Sequence, residues 1–268
     1  DEFDWSTITT IAWADGNAEL VCKAHANGVR VVRGAPAIPF GQNETQIESW
    51  VESLVQDIVS RNLDGVTFDY ESPLAFNDPR VEFYTDIVSR TTQRLHRVSP
   101  GSQTSVCVGW SPDDIDGRAY DAVGLAKASD LLYVMSYDTR SQIFDRCIAS
   151  ANSPASRARY GLQRYLDLGI SPEKLILGTP WYGRYHLHTH SLTHSLTHSG
   201  YDYPCQESLE MITASTYCTI DLVPFRGVNC SDAAGRERSM ADIENVRADD
   251  PTASELRYDT STDTSYFH

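Results

Sequence analysis

The residues best suited to chemistry lie in the stretch LDGVTFDYES, residues 63–72, where Thr67, Asp69 and Glu71 occupy alternate positions. On a β-strand, alternate side chains point to the same face. A carboxyl held in a partly buried pocket beside a second carboxylate keeps its proton near neutral pH and can act as a general acid. The pattern predicts acid–base chemistry by Glu71 with Asp69 beside it. The alternative is that Glu71 begins a solvated loop and Asp69 caps the following turn.

The spacing of the two carboxylates favours unequal roles for them. Residues i and i+2 of a strand lie roughly 6.5–7 Å apart along the backbone. One strand is therefore a poor way to build the ~5 Å acid–nucleophile pair of an ordinary retaining glycosidase. We expect one carboxyl to serve as the acid and the other to orient the acid or the substrate.

The elements that must position these side chains alternate along the chain. Short runs rich in β-branched residues predict strands at 9–15, 29–35, 65–71, 104–110, 131–138 and 174–182. Apolar residues at helical spacing predict helices over 45–62, 78–98 and 155–168, the last ended by Gly169 and Pro172. Strands alternating with helices predict an α/β fold of parallel βα units. Six such strands fit either a doubly wound sheet or a (β/α)8 barrel with strands unaccounted for.

The charge of the chain restricts its partners. The 268 residues include 22 Lys and Arg but 37 Asp and Glu, a formal net charge of −15. Nucleic acids and anionic membrane surfaces select clustered basic residues, so we expect neither as a partner. No apolar run approaches the ~18 residues that a membrane span needs.

Cysteines and glycosylation sequons favour the secretory pathway. The six cysteines form no CxxC pair, so we expect no zinc site, and three of them lie within residues 205–230 in what reads as a disulfide-stapled loop. Asn43 and Asn229 each begin an Asn-X-Ser/Thr sequon. The acidic N-terminus has no apolar core and is not a signal peptide. Together these features predict a lysosomal or secreted protein whose signal peptide is not in this chain.

The chain beyond residue 183 loses the alternating pattern, and we expect it to be loop-like to its end. Residues 189–200, THSLTHSLTHSG, repeat one tetrapeptide three times. His190, His194 and His198 would share one helical face and could bind a metal there. Because Ser, Thr and Gly make a poor helix and no carboxylate or Cys shares the register, a disordered insertion over 184–200 is the preferred interpretation.

The stretch LDGVTFDYE resembles the DGxDxDxE signature of glycoside hydrolase family 18, the chitinase-type (β/α)8 barrels. VMSYD at 134–138 and KLILGTPWYG at 174–183 follow in the order which that family expects. The resemblance implies one catalytic domain over residues 1–268. The barrel is apparently incomplete, because the family's first and last strands are not evident.

The resemblance also implies a substrate-assisted retaining reaction on GlcNAcβ1-4GlcNAc bonds, in the core of Asn-linked oligosaccharides or in chito-oligosaccharides. In that reaction Glu71 protonates the glycosidic oxygen, and the substrate's own N-acetyl carbonyl attacks the anomeric carbon. Asp69 holds the acetamido N–H, Tyr137 donates to the acetamido oxygen, and Asp138 lines the sugar site. Thr67 stands where most of the family has the first aspartate of the signature, so we expect a shifted pH profile.

Several further residues are candidates for sugar binding. Trp110, Trp181 and Tyr182 lie at predicted strand ends, where they could stack on a sugar face or belong to the barrel core, and Arg226 could reach the site. We expect a monomer that uses no cofactor or metal and binds an oligosaccharide containing N-acetylglucosamine. The alternatives are an inactive chitinase-like sugar-binding protein and a non-functional fragment of such a glycosidase.

Overall fold

The structure is a computed structural model that describes most of the first 180 residues and shorter segments after them. The described residues are 3–14, 17–139, 151–180, 182–183, 195–198, 201–204, 222, 236–249, 255, 257–260 and 264–267.

A parallel six-stranded sheet forms the centre of the first 180 residues. Its strands are β1 (Thr10–Ala12), β2 (Arg30–Gly34), β3 (Gly65–Phe68), β4 (Gln103–Val108), β5 (Leu131–Met135) and β6 (Leu175–Gly178). Their spatial order is β1-β2-β3-β4-β5-β6, and all neighbouring pairs are parallel. A doubly wound sheet reverses its strand order at a switch point, whereas a (β/α)8 barrel keeps sequence order. The sheet therefore confirms the six predicted strands and the expected incomplete barrel.

Helices connect these strands. They are α1 (Ala18–Ala26), α2 (Glu44–Ser60), α3 (Pro79–Val98), α4 (Ala122–Ala128) and α5 (Ala155–Asp167). In α2 the buried Ile47, Val51, Leu54, Val55 and Ile58 form the apolar stripe that the sequence predicts. Asn43 and Gln46 begin this helix with a capping box, which satisfies free backbone N–H groups of its first turn. The three predicted helices, over 45–62, 78–98 and 155–168, are confirmed to within two residues at each end.

The two faces of the sheet differ in chemistry. Apolar side chains of β3, β4 and β5 belong to the core packed with the helices: Val66, Phe68, Val106, Val108, Leu132 and Val134. Because strand side chains alternate, the opposite face carries Thr67, Ser105, Cys107 and Tyr133. A sheet that buries one face under helices thus presents polar groups on the other.

The C-terminal part of the chain contains strands and a helix where we predicted loops, so that prediction was wrong for its described residues. The strands are β7 (Tyr182–Gly183), β8 (Ser195–His198), β9 (Tyr201–Pro204), β10 (Arg236–Ser239), β11 (Arg257–Asp259) and β12 (Thr264–Phe267), and α6 (Met240–Asp249) follows β10. These strands form an antiparallel sheet. His198 lies in β8, not in the helix that the metal hypothesis required, and His190 and His194 lie outside the described residues.

No helix in the described segments is long and apolar enough to cross a membrane.

Candidate active site

Asp69 and Glu71 lie just beyond the C-terminal end of β3. The strand ends at Phe68, three residues earlier than predicted, so both carboxylates belong to the loop that follows it. All strand C-termini of a parallel sheet meet at one edge, and this edge carries the catalytic groups of barrel enzymes. Asp69 is exposed and Glu71 is partly buried. The loop position allows their side chains to be oriented by the neighbouring βα loops.

Glu71 is held by a buried ion-pair network. Arg118, in the loop after β4, donates from Nη1 to Glu71 Oε2 at 3.0 Å and from Nη2 to Asp116 Oδ2 at 2.7 Å. The side chains of Arg118 and Asp116 are only 8% and 3% exposed. Arg118 also donates from Nε to the carbonyl oxygen of Ile115 at 3.2 Å. The guanidinium is therefore fixed on its own loop and presents one N–H edge to Glu71.

The loops after β3 and β4 are joined by main-chain contacts. The N–H of Leu74 donates to the carbonyl of Gly117 at 2.9 Å. The Tyr120 hydroxyl contacts the carbonyl oxygens of Tyr70 and Ser72 at 2.8 and 2.7 Å, one on each side of Glu71. These contacts fix the backbone around Glu71 and thus the direction in which its carboxyl points.

Asp69 has a neighbouring thiol on β4. The parallel register pairs Phe68 with Val106, so the next position of each chain places Asp69 beside Cys107. The two side chains are hydrogen-bonded, and Cys107 is 2% exposed. Burial, followed by the negative charges of Asp69 and Glu71, raises the pKa of the Cys107 thiol. The thiol is therefore neutral and can donate to the Asp69 carboxylate.

Tyr137 and Asp138 follow β5 at the same edge. Burial raises the pKa of the Tyr137 phenol, and the neighbouring Tyr133, with which it is hydrogen-bonded, adds to the shift. The Asp138 main chain adopts a positive φ of 52° and its N–H donates to Asn152 Oδ1 at 2.7 Å. The Cys107 thiol is close enough to Tyr137 to raise the pKa of its phenol, and Asp69 and Glu71 are close enough to Cys107 to raise the pKa of the thiol. The site thus brings together the four residues expected to carry the chemistry.

Thr67 takes part in a neutral pair. Its hydroxyl lies 2.8 Å from that of Ser105, and both side chains are buried. Two hydroxyls satisfy one another at this point, whereas an aspartate would bring a buried charge. Thr67 thus pairs with Ser105, and the side chain that is hydrogen-bonded to Asp69 is the Cys107 thiol of the adjacent strand.

Among the remaining sugar-binding candidates, the structure describes the side chain of Trp110. Trp110 is only 5% exposed and packs against Tyr160 of α5, which favours the core alternative over sugar stacking. Tyr182 lies in β7, and its side chain is not among the described ones. Trp181, Arg226 and the sequon residue Asn229 lie outside the described residues.

The first sequon and two of the cysteines are described. Asn43 is exposed at the start of α2, where its Oδ1 accepts from the Gln46 N–H at 3.0 Å, so its amide nitrogen remains available to a glycan. Cys22 is an exposed free thiol and Cys107 a buried one; neither forms a disulfide. The remaining four cysteines lie outside the described residues.

Sequence reasoning missed Arg118, Asp116 and Cys107. The partners of Arg118 and Cys107 are 47 and 38 positions away in the chain, so no local periodicity marks them. One usable signal was available: Arg118 follows a predicted strand, and parallel strands end at one edge.

A groove that the described residues line lies elsewhere in the structure. It has a volume of about 900 Å³, lies along α3 and α4, and contains neither Asp69 nor Glu71 among its lining residues. Several carboxylates line it, among them Asp78, Glu82 and Asp86, but the groove lies along helices and not at the carboxyl ends of the strands, where barrel enzymes carry their catalytic groups.

Comparisons with solved structures support the fold. A chitinase from Rhizomucor miehei superposes with a TM-score of 0.70, covering 100% of this chain and 82% of that one at 16% identity. A family 18 chitinase from Cycas revoluta, solved with (GlcNAc)4, superposes with a TM-score of 0.68, covering 99% of this chain and 81% of that one at 16% identity. At such identities the agreement concerns the fold alone.

Sequence comparisons identify the family. Di-N-acetylchitobiase of Rattus norvegicus is 40% identical over 237 residues, and the match covers 88% of this chain and 59% of that protein. The probable di-N-acetylchitobiase 2 of Dictyostelium discoideum is 37% identical over 98% of this chain and 66% of its own length. The chain thus spans about three fifths of these relatives. The profile of the glycosyl hydrolases family 18 matches residues 39–267, and the chain belongs to that family.

Proposed function

We propose that this chain carries the catalytic centre of a glycosidase that cleaves bonds of N-acetylglucosamine. The observation that carries the proposal is the meeting of Glu71, Asp69 and Tyr137 at one edge of the parallel sheet, in a chain of family 18. Two carboxyls and a phenol are the groups that protonate a leaving oxygen and hold an acetamido group.

The proposed reaction uses the substrate's acetamido group as nucleophile. Glu71 gives its proton to the glycosidic oxygen while the acetamido carbonyl oxygen attacks the anomeric carbon, and an oxazolinium ion forms as the leaving group departs. Asp69 accepts a hydrogen bond from the acetamido N–H, and Tyr137 donates one to the acetamido oxygen. Water then attacks the same carbon, gives its proton to the Glu71 carboxylate and opens the ring, so the product retains its configuration.

The raised pKa of Tyr137 suits the role of a donor. Burial disfavours the phenolate, so the hydroxyl keeps its proton throughout the pH range in which a carboxylic acid can act. A protonated phenol can donate to the acetamido oxygen, whose charge changes when it attacks. The neutral Cys107 thiol likewise supports an Asp69 carboxylate that accepts the acetamido N–H.

The proposed substrate is the GlcNAcβ1-4GlcNAc bond, in the core of Asn-linked oligosaccharides or in chito-oligosaccharides. Two relatives named as di-N-acetylchitobiases support this choice at 37–40% identity. We further propose one catalytic domain over residues 1–268 and a lysosomal or secreted location, which the exposed sequon at Asn43 supports.

A matched pair of substrates tests the reaction. Aryl β-glycosides of N,N′-diacetylchitobiose and of its analogue with a free amine on the sugar next to the aryl group would be compared. We expect hydrolysis of the first alone, with the β-anomer as the first product in the proton NMR spectrum. Equal hydrolysis of both glycosides, or release of the α-anomer first, would contradict the proposed reaction.

A further inference from the structure

The loop after β4 contains a buried charge pair that the proposed reaction does not yet use. Asp116 and Arg118 are 3% and 8% exposed and joined at 2.7 Å. A buried ion pair is weak support for stability, because desolvation of both charges offsets their attraction. Asp116 also has a positive φ of 57°. For a residue other than glycine this conformation costs free energy, and such residues are concentrated at functional sites.

The pair is directed at Glu71. Arg118 donates a hydrogen bond from each of its three nitrogens: one to Asp116, one to the Ile115 carbonyl, and one to the Glu71 carboxyl at 3.0 Å. Leu74 and Gly117 join the two loops by a main-chain hydrogen bond, so the guanidinium and the carboxyl are held at a fixed separation. A charge-assisted hydrogen bond of this kind is directional as well as strong.

We propose that Arg118, anchored by Asp116, is a positioning residue that stabilises the Glu71 carboxylate formed when the acid gives up its proton. This inference rests on the proposed function. As the bond between the anomeric carbon and the leaving oxygen breaks, its electron pair goes to that oxygen, which takes the proton from Glu71. Negative charge therefore develops on Glu71 in the transition state, next to a cation that is already in place.

The role predicts a dependence on the leaving group. A sugar leaving group is a poor one and needs its proton early, whereas 2,4-dinitrophenolate leaves without help from an acid. Loss of Arg118 should therefore slow cleavage of N,N′,N″-triacetylchitotriose and leave cleavage of the 2,4-dinitrophenyl β-glycoside of diacetylchitobiose nearly unchanged. A role in folding alone would affect both substrates equally.

Two variants make the test robust to misfolding. Arg118→Met alone would remove the cation that lies beside the buried Asp116 carboxylate, so the double variant Asp116→Asn/Arg118→Met removes both charges together. Arg118→Lys keeps a cation but loses the fork of donors. Arg164→Met is the matched control, because Arg164 makes an exposed pair with Asp113 of the same loop at 2.9 Å and does not contact Glu71.

We expect the double variant to lower kcat on the trisaccharide by about 10- to 100-fold, part of the 10²–10⁴-fold that general acid catalysis contributes. Its kcat on the dinitrophenyl glycoside should change by less than about threefold, and Arg164→Met should resemble the wild type on both substrates. Arg118→Lys should recover part of the trisaccharide rate.

The outcomes are separable. An active wild type with folded variants that lose equally on both substrates, or on neither, overturns this inference and leaves the proposed function standing. Failure of both Arg118 variants to fold would assign Arg118 to stability and also overturn it. A folded wild type that cleaves neither substrate overturns the proposed function, and this inference with it.

Discussion

At the scale of single residues, Tyr137 is expected to act through its proton. Tyr137→Phe removes the hydroxyl that would donate to the acetamido oxygen, a bond to a group of changing charge worth about 1.5–3 kcal/mol. We predict a fall in kcat of about 10- to 100-fold in a variant that stays folded, although it also loses the hydrogen bond between Tyr137 and Tyr133. Tyr160→Phe serves as the control, since Tyr160 is exposed, its hydroxyl donates to Asp113 and its ring, which the variant keeps, packs against Trp110. Equal rates for Tyr137→Phe and wild type would remove Tyr137 from the mechanism.

Cys107 offers a prediction that needs no substrate. Burial and the neighbouring carboxylates raise the pKa of its thiol, and only the thiolate is an effective nucleophile. At pH 8 iodoacetamide should modify the exposed Cys22 and spare Cys107 in the folded protein, but modify both in urea. Peptide mass spectrometry reads each site separately. Comparable labelling of the two cysteines in the native protein would contradict the placement of Cys107 beside Asp69.

The residues that could be predicted share one property. Asp69 and Glu71 stand close together in the chain and break an otherwise buried strand pattern, so their types and spacing suffice to mark them. Arg118 and Cys107 are recognised as part of the site only once the register of β3 on β4 and the contact between the two loops are known. A pairing of that kind depends on the assembled sheet, and the local sequence does not encode it.

At the scale of secondary-structure elements, α5 depends on one glycine. A Cβ at Gly161 would lie 1.7 Å from the carbonyl oxygen of Trp110, so α5 can approach the end of β4 only without a side chain here. Gly161→Ala should destabilise the protein by about 2 kcal/mol despite the better helix propensity of alanine. Gly101→Ala, where nothing lies within 4 Å of the new Cβ, should have little effect. Urea unfolding of the two variants is the measurement, and equal midpoints would contradict the close approach.

The elements also differ in how well the sequence predicts them. The helix α2 is predictable because its apolar stripe, its N-terminal Asn43 and its length all agree. The strand β8 is not, because its sequence is a polar repeat; it pairs with β9 directly after it and with β12 almost 70 positions later. Antiparallel pairing between distant short segments leaves no periodic signal in either one.

At the scale of the whole molecule, the buried titratable groups predict alkaline instability. Burial raises the pKa values of Tyr84, Tyr137, Tyr165 and the Cys107 thiol. Above their unfolded values, about 8.5 for Cys and 10 for Tyr, the unfolded chain releases protons that the folded chain retains. The unfolded state then binds fewer protons, so the free energy of unfolding falls as pH rises.

The measurement is the urea midpoint between pH 7 and pH 11, for wild type and Tyr165→Phe. The variant loses the hydrogen bond to the Gly109 carbonyl at 2.8 Å and should be less stable by about 1 kcal/mol at pH 7. Its further loss above pH 10 should be smaller than that of the wild type, because one of the buried phenols is gone. If the urea midpoints of the two proteins fell in parallel with pH, the pKa of Tyr165 would be the same in the folded and unfolded states, and the prediction would be wrong.

The most direct test of the account is hydrolysis of 4-methylumbelliferyl N,N′-diacetylchitobioside across pH 4–7 by the wild type and by Glu71→Gln. The glutamine keeps the shape of the side chain and a contact with Arg118 but has no proton to give. We predict release of the fluorophore by the wild type and a loss of at least about 100-fold in the variant, with both proteins equally folded by circular dichroism. An active Glu71→Gln protein, or a folded but inactive wild type, would contradict the assignment of Glu71 as the acid of a glycosidase.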